Sequence, residues 1–519
     1  MSQMLKSSGA NAVATMVSRV LGLVREIVYA RFMGTSWVAG AFVLAFQIPN
    51  LFRRLLGEGA LTAAFIPVFK RKEKVEGEEA MWHAANAVVS GLLVASCVIV
   101  LAGVVGISFV LGFFRFDDAS TILMLRLLRV MFPYLIFVCF AAVCMGMLNA
   151  RGHFFIPSLG AALLNVVMIG SVYFIAPRLG TEPQERVFGL AIGVLLAGVA
   201  QAAFQMPLLL REGFRYRWTK PWSDPTVRLV VLQMLPATIG VAAFQINVML
   251  ANGFAFAVGP EIVAAFNYSV RLMELPQGVF GVSLAIYLLP TLAGFAAEKK
   301  YPEFRATLRD GVGYLLFINL LATVLLTVLA EPMIRLLFER GEFDAAATAR
   351  VTIGLTALAP GLVAFSCTNI FARAFFALGD TKTPMKISVF CLVLNALLTL
   401  PLVWFVKEAG LGLANSATAF VNVSLLAFAL RKKLARLEMG ALRRHLLALL
   451  VCAAAAAVFA WGGRVLWEQK LGHGNFWLKF GEVFAPMLAA SLVYFAAAFT
   501  FRIPFAHDCV ALLRKQVRM

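Results

Sequence analysis

Charge is scarce in this chain. Of 519 residues only 14% are charged, against about 25% in soluble domains. Acids are scarcer still: 27 Asp and Glu stand against 46 Lys and Arg, a net charge of +19. This excludes an ordinary soluble globular domain. Only five His occur, with no HExxH spacing, and the seven Cys include no CxxC pair. Neither a metal site nor a thiol–disulfide centre is indicated, and no cofactor is expected. The six Cys inside apolar runs (Cys97, Cys139, Cys144, Cys367, Cys391 and Cys452) read as packing residues. No small-residue cleavage pattern follows residues 1–9 (MSQMLKSSG), so the first apolar run reads as retained, not as a signal peptide.

What is abundant is apolar surface. The chain is 61% hydrophobic with 45 Phe, and its mean hydropathy is +0.85. An all-α polytopic membrane protein is the fold class these values imply. The positive charge then belongs to cytoplasmic loops, which collect Lys and Arg; no nucleic-acid partner is expected. A bilayer core of about 30 Å takes roughly 20 helical residues. Runs of that length give fourteen transmembrane helices: 10–33, 37–68, 81–113, 122–150, 155–177, 187–210, 226–257, 261–296, 309–330, 348–377, 384–406, 410–430, 446–466 and 478–501.

Loop charge tests the count. Loops after even-numbered spans read KRKEK (70–74), REGFRYRWTK (211–220), EKKYPEFR (298–305), RKKLAR (431–436) and RKQVR (514–518). Those after odd-numbered spans read RFDD (115–118), RLGTEPQER (178–186), ERGEFD (339–344) and KE (407–408). The alternation places both termini in the cytoplasm by the positive-inside rule.

Two stretches repeat. LNARGHFFIP (148–157) ends span 4 and FFALGDTKTP (375–384) ends span 10; in both, Ala is followed by Gly two residues on and Pro five further. Ala41-Phe42 with Pro67, and Ala265-Phe266 with Pro290, recur at nearly the same offset. Two six-helix lobes are expected, 1–220 (spans 1–6) and 221–440 (spans 7–12), with spans 13–14 and the C-terminus in 441–519. Transporters built from parallel repeats bind substrate between their halves.

Charge inside a span costs about 2.5–3.5 kcal/mol at mid-membrane. Spans 1, 2 and 8 nevertheless carry it. Span 1 holds Arg19, Arg25 and Glu26; span 2 holds Arg53, Arg54 and Glu58; span 8 holds Arg271 and Glu274. At 1.5 Å per residue, Arg25 and Arg271 lie about 12 and 15 Å from the outer ends, and Arg19 and Arg53 about 21 and 24 Å. Glu26, Glu58 and Glu274 can pair with neighbouring arginines, but arginine is in excess. The planar guanidinium fork suits phosphate oxygens, so an anionic substrate in a cationic cavity is expected. Pro49 and Pro276 interrupt spans 2 and 8 and are candidate hinges.

SRVLGLVREIVYARFMG (18–34), IPNLFRRLLGEGALTAAFIPVF (48–69), RLMELPQGVFGVSLAIYLLPTL (271–292) and LLFERGEFDAAAT (336–348) together resemble the MurJ (MviN) family of lipid II flippases, in the superfamily of MATE exporters and oligosaccharide-lipid flippases. The resemblance implies a MATE-like fold. It also implies transfer of lipid II, an undecaprenyl diphosphate carrying a disaccharide-pentapeptide, to the outer leaflet of the bacterial cytoplasmic membrane for peptidoglycan synthesis. It places substrate binding on Arg19, Arg25, Glu26, Arg53 and Arg271, support on Arg54, Glu58 and Glu274, and a lipid-tail groove at spans 13 and 14. Membrane lipid and the cell-wall synthesis machinery are the implied partners. Where some members have Asp and Lys in span 2, this chain has Gly40 and Gln47, and Val270 precedes Arg271. Spans 7, 11 and 12 contain no Asp or Glu, which argues against the carboxylate sodium site of some members. An inside-negative potential, worth about 2.3 kcal/mol per charge per 100 mV, favours an anion leaving.

Two other readings compete. A flippase for another polyprenyl-diphosphate glycan would present the same charge. A membrane-embedded transferase would need a carboxylate cluster, for which Asp117-Asp118 is the only adjacent pair in a short outer loop. A non-enzymatic transporter is the favoured reading.

Overall fold

Backbone polar groups in hydrocarbon have no water to bond, so an apolar chain of this kind must satisfy them within helices. The structure, a computed structural model, describes residues 2–56, 60–437 and 440–508, and all regular structure among them is helical. Two compact units divide the chain, Met1–Ala264 and Ala265–Met519.

In the first unit the helices run α1 (Ser2–Met33), α2 (Trp37–Leu56), α3 (Ala60–Glu76), α4 (Glu78–Phe113), α5 (Ala119–Met131), α6 (Tyr134–Ala150), α7 (Phe155–Gly170), α8 (Pro183–Arg211) and α9 (Pro225–Val258). Its core lies where α3, α4 and α6 meet, around the buried side chains of Phe65, Phe69, Met81, Cys144 and Met147. An aromatic chain runs through it from Phe69 to Trp82 to Phe214, each step 5.6 Å between ring centroids. Helix α1 packs on α7, and α9 packs on α2, α3 and α4. The α9 segment opens the second set of six in chain order but belongs to the first unit in packing.

Helix α10 (Pro260–Pro276) leads into the second unit through a π-helical turn, Gln277–Val282. There follow α11 (Ser283–Ala297), α12 (Tyr301–Val328), α13 (Ala330–Phe338), α14 (Ala345–Leu358), α15 (Gly361–Ala377), α16 (Lys382–Val406), α17 (Glu408–Lys433), α18 (Gly440–Lys470) and α19 (Phe476–Thr500). One continuous core joins α11, α12 and α15 to α18 and α19. At its centre the fully buried Tyr494 hydroxyl donates to the Phe317 carbonyl at 2.7 Å. Of the cysteines expected to pack, five are buried, and Cys97 is exposed.

The repeated stretches have repeated geometry. Asp118 caps α5, accepting from the Ser120 and Thr121 amides, and Asp344 caps α14, accepting from the Ala347 amide. The helix pairs α5–α6 and α14–α15 then bend by 45° and 44°. The bends fall just before α6 and α15, at Pro133 and Pro360, where a missing N–H breaks the ladder. Both pairs end in a left-handed glycine, Gly152 (φ 90°) and Gly379 (φ 72°). The closing hydrogen bonds correspond too: His153 N to Leu148 O and Gly152 N to Asn149 O, Asp380 N to Phe375 O and Gly379 N to Phe376 O.

Each of these turns is tied to the end of a later helix by an ion pair. In the first unit Arg151 Nε donates to Glu212 Oε2 at 2.9 Å, beyond the end of α8, and Arg151 Nη1 to Glu73 Oε1 at 2.6 Å. In the second, Lys433 Nζ at the end of α17 donates to Asp380 Oδ2 at 2.7 Å. Asp380 holds the place of His153, which itself lies 2.8 Å from Glu212, so a tie recurs at this place with the carboxylate now on the turn.

Fourteen crossings are expected from the sequence. Among the described residues nine helices are long and apolar enough to cross a membrane, or eleven when each bent pair is one crossing. The three other expected spans fall on α1, on α2 with α3, and on α9. The arginines of α1 and α2 dilute their hydropathy, and α9 contributes two shorter apolar stretches, Pro225–Leu235 and Gln245–Val258.

Two outcomes are expected. Gly152→Ala and Gly379→Ala each cost about 1–2 kcal/mol, because a Cβ disfavours the left-handed conformation; thermal unfolding in detergent measures this. Hydrogen bonds from Lys433 and the Thr383 amide hold the Asp380 carboxyl down to about 2. The tie therefore contributes fully above the ordinary aspartate range and is lost as pH falls toward 2. Asp380→Asn is expected to flatten this part of the unfolding profile between pH 4 and 2.

Candidate functional site

Helix α1 presents three of the expected site residues. Asn165 on α7 donates to the Ser18 carbonyl at 3.1 Å and fixes α1 immediately before Arg19 and two turns before Arg25 and Glu26. Arg25 Nη2 donates to Glu26 Oε1 at 2.6 Å, and Glu26 is buried. The Arg25 guanidinium carbon lies 5.6 Å from the centroid of the Tyr29 ring, in cation–π range. Tyr29 packs edge-on against Phe42 of α2 at 5.9 Å, and Phe42 stacks on Phe46 at 6.1 Å. Arg25 thus sits against an aromatic shelf shared by α1 and α2. Its Nε is buried and makes no hydrogen bond, so Glu26 engages only part of the fork. Arg19, six residues earlier on the same helix, is exposed.

On α2, Arg53 is half-buried and its Nε donates to Asn50 Oδ1 at 2.8 Å, while Arg54 is exposed. Glu58 lies outside the described residues. Pro49 is buried and α2 continues through it without ending. On α10, Arg271 Nη1 donates to Glu274 Oε2 at 2.8 Å, and both side chains are about half exposed. Pro276 closes α10, and the π-helical turn follows directly. The Arg25–Glu26 and Arg271–Glu274 contacts each lie within one helix. Among the described site residues, Arg19, Arg25, Arg53 and Arg54 of the first unit are accompanied by the carboxylate of Glu26, and Arg271 of the second unit by that of Glu274.

The Asp117-Asp118 pair gives no comparable cluster. Asp118 accepts from the hydroxyls of Ser120 and Thr121 at 2.6 and 2.7 Å as well as from their amides. Those hydrogen bonds lower its pKa to about 2. Its oxygens serve the cap of α5. Among the described residues no group of three or more His, Cys, Asp or Glu is placed to hold a metal.

A family profile described as lipid II flippase MurJ matches residues 29–480. The chain belongs to the MurJ family. A probable lipid II flippase MurJ of Vibrio cholerae is 34% identical over 441 residues, 82% of each chain. One from Rhizobium tropici is 34% identical over 498 residues, 94% of this chain and 92% of that protein. A lipid II flippase MurJ of Burkholderia cenocepacia is 33% identical over 81% of this chain and 82% of its own. Among solved structures, a MurJ in an inward closed conformation superposes with a TM-score of 0.77 at 21% identity, covering 95% of this chain and 98% of that one. An inward-facing MATE transporter gives 0.67 at 16% identity, covering 83% and 99%. The MATE-like fold implied by the sequence is therefore present.

Within this MurJ-family fold Gly40 has a local cause. A Cβ there would stand 2.0 Å from the Pro260 carbonyl oxygen, so the approach of α2 to the start of α10 admits only glycine. That contact is tertiary, and no sequence pattern announces it.

Sequence reasoning missed a second group of buried charges. Arg335 on α13 bonds Glu482 of α19 at 2.6 Å and Glu331 at 2.6 Å. Glu331 also takes Arg464 of α18, and Glu339 takes Lys479 of α19 at 3.1 Å. Three cations and three carboxylates close into one network, with Glu482 fully buried. The signal was present as the i, i+4 series Glu331, Arg335, Glu339 and as charges inside spans 13 and 14. The network fastens α18 and α19 to α13. Removing Glu482 leaves Arg335 with Glu331 but with one buried guanidinium donor unsatisfied: Glu482→Ala is expected to cost about 1–3 kcal/mol. A Glu482→Ala/Arg335→Met double variant should recover part of that loss in the same thermal unfolding measurement.

Proposed function

We propose that this chain moves lipid II from the inner to the outer leaflet of the bacterial cytoplasmic membrane, supplying peptidoglycan synthesis; its relatives are named lipid II flippases. The site reading rests on the Arg25 guanidinium, which is partly engaged by Glu26, backed by the Tyr29 ring and left with a buried Nε donor. A diphosphate supplies the acceptors such a group needs, and the fork geometry favours two parallel hydrogen bonds. Arg25 and Arg271 are the diphosphate contacts, with Arg19 and Arg53 forming a second cationic level nearer the cytoplasm. Glu26 and Glu274 orient the guanidiniums and are exchanged against the substrate as it binds. Arg54 and Glu58 support the site.

The cycle is alternating access of two six-span lobes, 1–220 and 221–440, while 441–519 carries the groove for the lipid tail. Loop charge supports a fourteen-span chain with both termini in the cytoplasm. The π-helical turn after Pro276 is where α10 departs from regular geometry, as hinged segments do. Pro49 serves the corresponding place on α2. The membrane potential assists outward passage of the anion.

Depletion of the native flippase with complementation tests this reading. Arg25→Ala or Arg271→Ala, with insertion confirmed, is expected to cut outward transfer at least tenfold. Lipid II then becomes inaccessible to an impermeant lipid II-cleaving enzyme added outside. Arg25→Lys should be intermediate, keeping charge and losing the fork. Undiminished export by both alanine variants overturns the assignment.

A further inference from the structure

The segment between α8 and α9 is neither a helix nor a loose loop. It is held along α4 by two buried polar residues one turn apart, Asn86 and Ser90. Asn86 Nδ2 donates to the Arg215 carbonyl at 3.1 Å, and Asn86 Oδ1 accepts from the Arg217 amide at 3.0 Å. Ser90 Oγ accepts from the Thr219 amide at 3.3 Å and lies 3.3 Å from the Tyr216 hydroxyl. Phe214 and Pro221 are buried at its two ends. Of the residues between them, all but the partly buried Thr219 are exposed.

The outward face has a defined composition. Arg211, Arg215, Arg217, Lys220 and Arg228 are exposed, and none takes part in an ion pair among the described residues. The two nearest acids are engaged: Glu212 holds Arg151 and His153, and Asp224 caps α9 and faces His83. Between the cations stand Tyr216, Trp218 and Trp222, exposed by 45%, 56% and 73%. The strap begins at the last residue of a helix long and apolar enough to cross the membrane. That is the level at which lipid phosphates and glycerols lie.

We propose that this strap, residues 211–222 with Arg228, is a binding site for anionic phospholipid headgroups of the adjoining leaflet. Guanidinium and ammonium groups meet the phosphates, and the indole and phenol rings lie in the interfacial layer that aromatic residues prefer. Asn86 and Ser90 set this face before lipid arrives, so little ordering cost remains on binding. The site is separate from the arginines of α1, α2 and α10 and does not depend on their role.

The test uses the full-length protein in phosphatidylcholine nanodiscs containing a minor fraction of brominated phosphatidylglycerol. Quenching of Trp218 and Trp222 is taken as the difference from a Trp218→Phe/Trp222→Phe variant. Brominated phosphatidylglycerol is expected to quench these residues well beyond its mole fraction. Arg215→Gln/Arg217→Gln/Lys220→Gln should reduce that enrichment by tenfold or more, and raised salt should weaken it. If the triple variant does not fold, Arg217→Gln and Lys220→Gln singly are each expected to lower it by about fivefold. Equal quenching by brominated phosphatidylcholine at the same fraction overturns the proposal, as does enrichment unchanged in the variants. Displacement of the quencher by equimolar lipid II also overturns it, because the strap would then serve the transported lipid.

Discussion

A guanidinium held in or beside a membrane protein calls for negative charge, and the way each one is answered sorts this molecule into parts. At Arg335 the answer is complete: three cations and three carboxylates cancel among α13, α18 and α19. A closed network of that kind has nothing left to offer a ligand and acts as a fastening. At Arg25 the answer is partial, since one carboxylate meets a five-donor fork against an aromatic wall. On the strap beside α4 no ion pair answers the cations among the described residues, and they are exposed. A fastening, the proposed substrate site and the proposed lipid contact are three answers to one electrostatic requirement.

Much of this was legible before any coordinates. Arginine in an apolar run stands out without knowledge of the fold, so α1, α2 and α10 were found directly. The Ala-x-Gly and Pro pattern at 150–157 and 377–384 exposed the repeat because a left-handed helix end demands glycine. The Asp caps and Pro bends of the same stretches were equally present but lay in positions where Asp and Pro have many uses. Arg464 and Glu482 were passed over because each sits near a span end, where a charge normally reaches water. Only their common approach to α13 makes them interior. Gly40 was unreadable for the same reason, as its constraint is another segment's carbonyl. Hydropathy falls short of the expected crossing count where charge has entered α1 and α2, which carry part of the candidate site, and along α9, whereas the segment holding Arg271 passes as a crossing.

The ties at the helix ends show what is held constant and what is free. Arg151 reaches Glu212 in one unit, and Asp380 reaches Lys433 in the other. The place of the contact persists while donor and acceptor exchange ends. Such an exchange costs little where a pair is half-exposed, because screening makes the two arrangements nearly equivalent. The same exchange at Arg25 would replace a phosphate-seeking group by a phosphate-repelling one.

The bent pairs α5–α6 and α14–α15 carry a last implication. Their course is set by three residues: an aspartate that starts the first helix, a proline that turns the second, and a glycine that ends it. The other buried side chains along them can change wherever core volume is kept. An ancestral duplication can therefore drift until its halves share hardly any residues and still trace the same path, one half diverging toward new ligands while the other keeps the old scaffold.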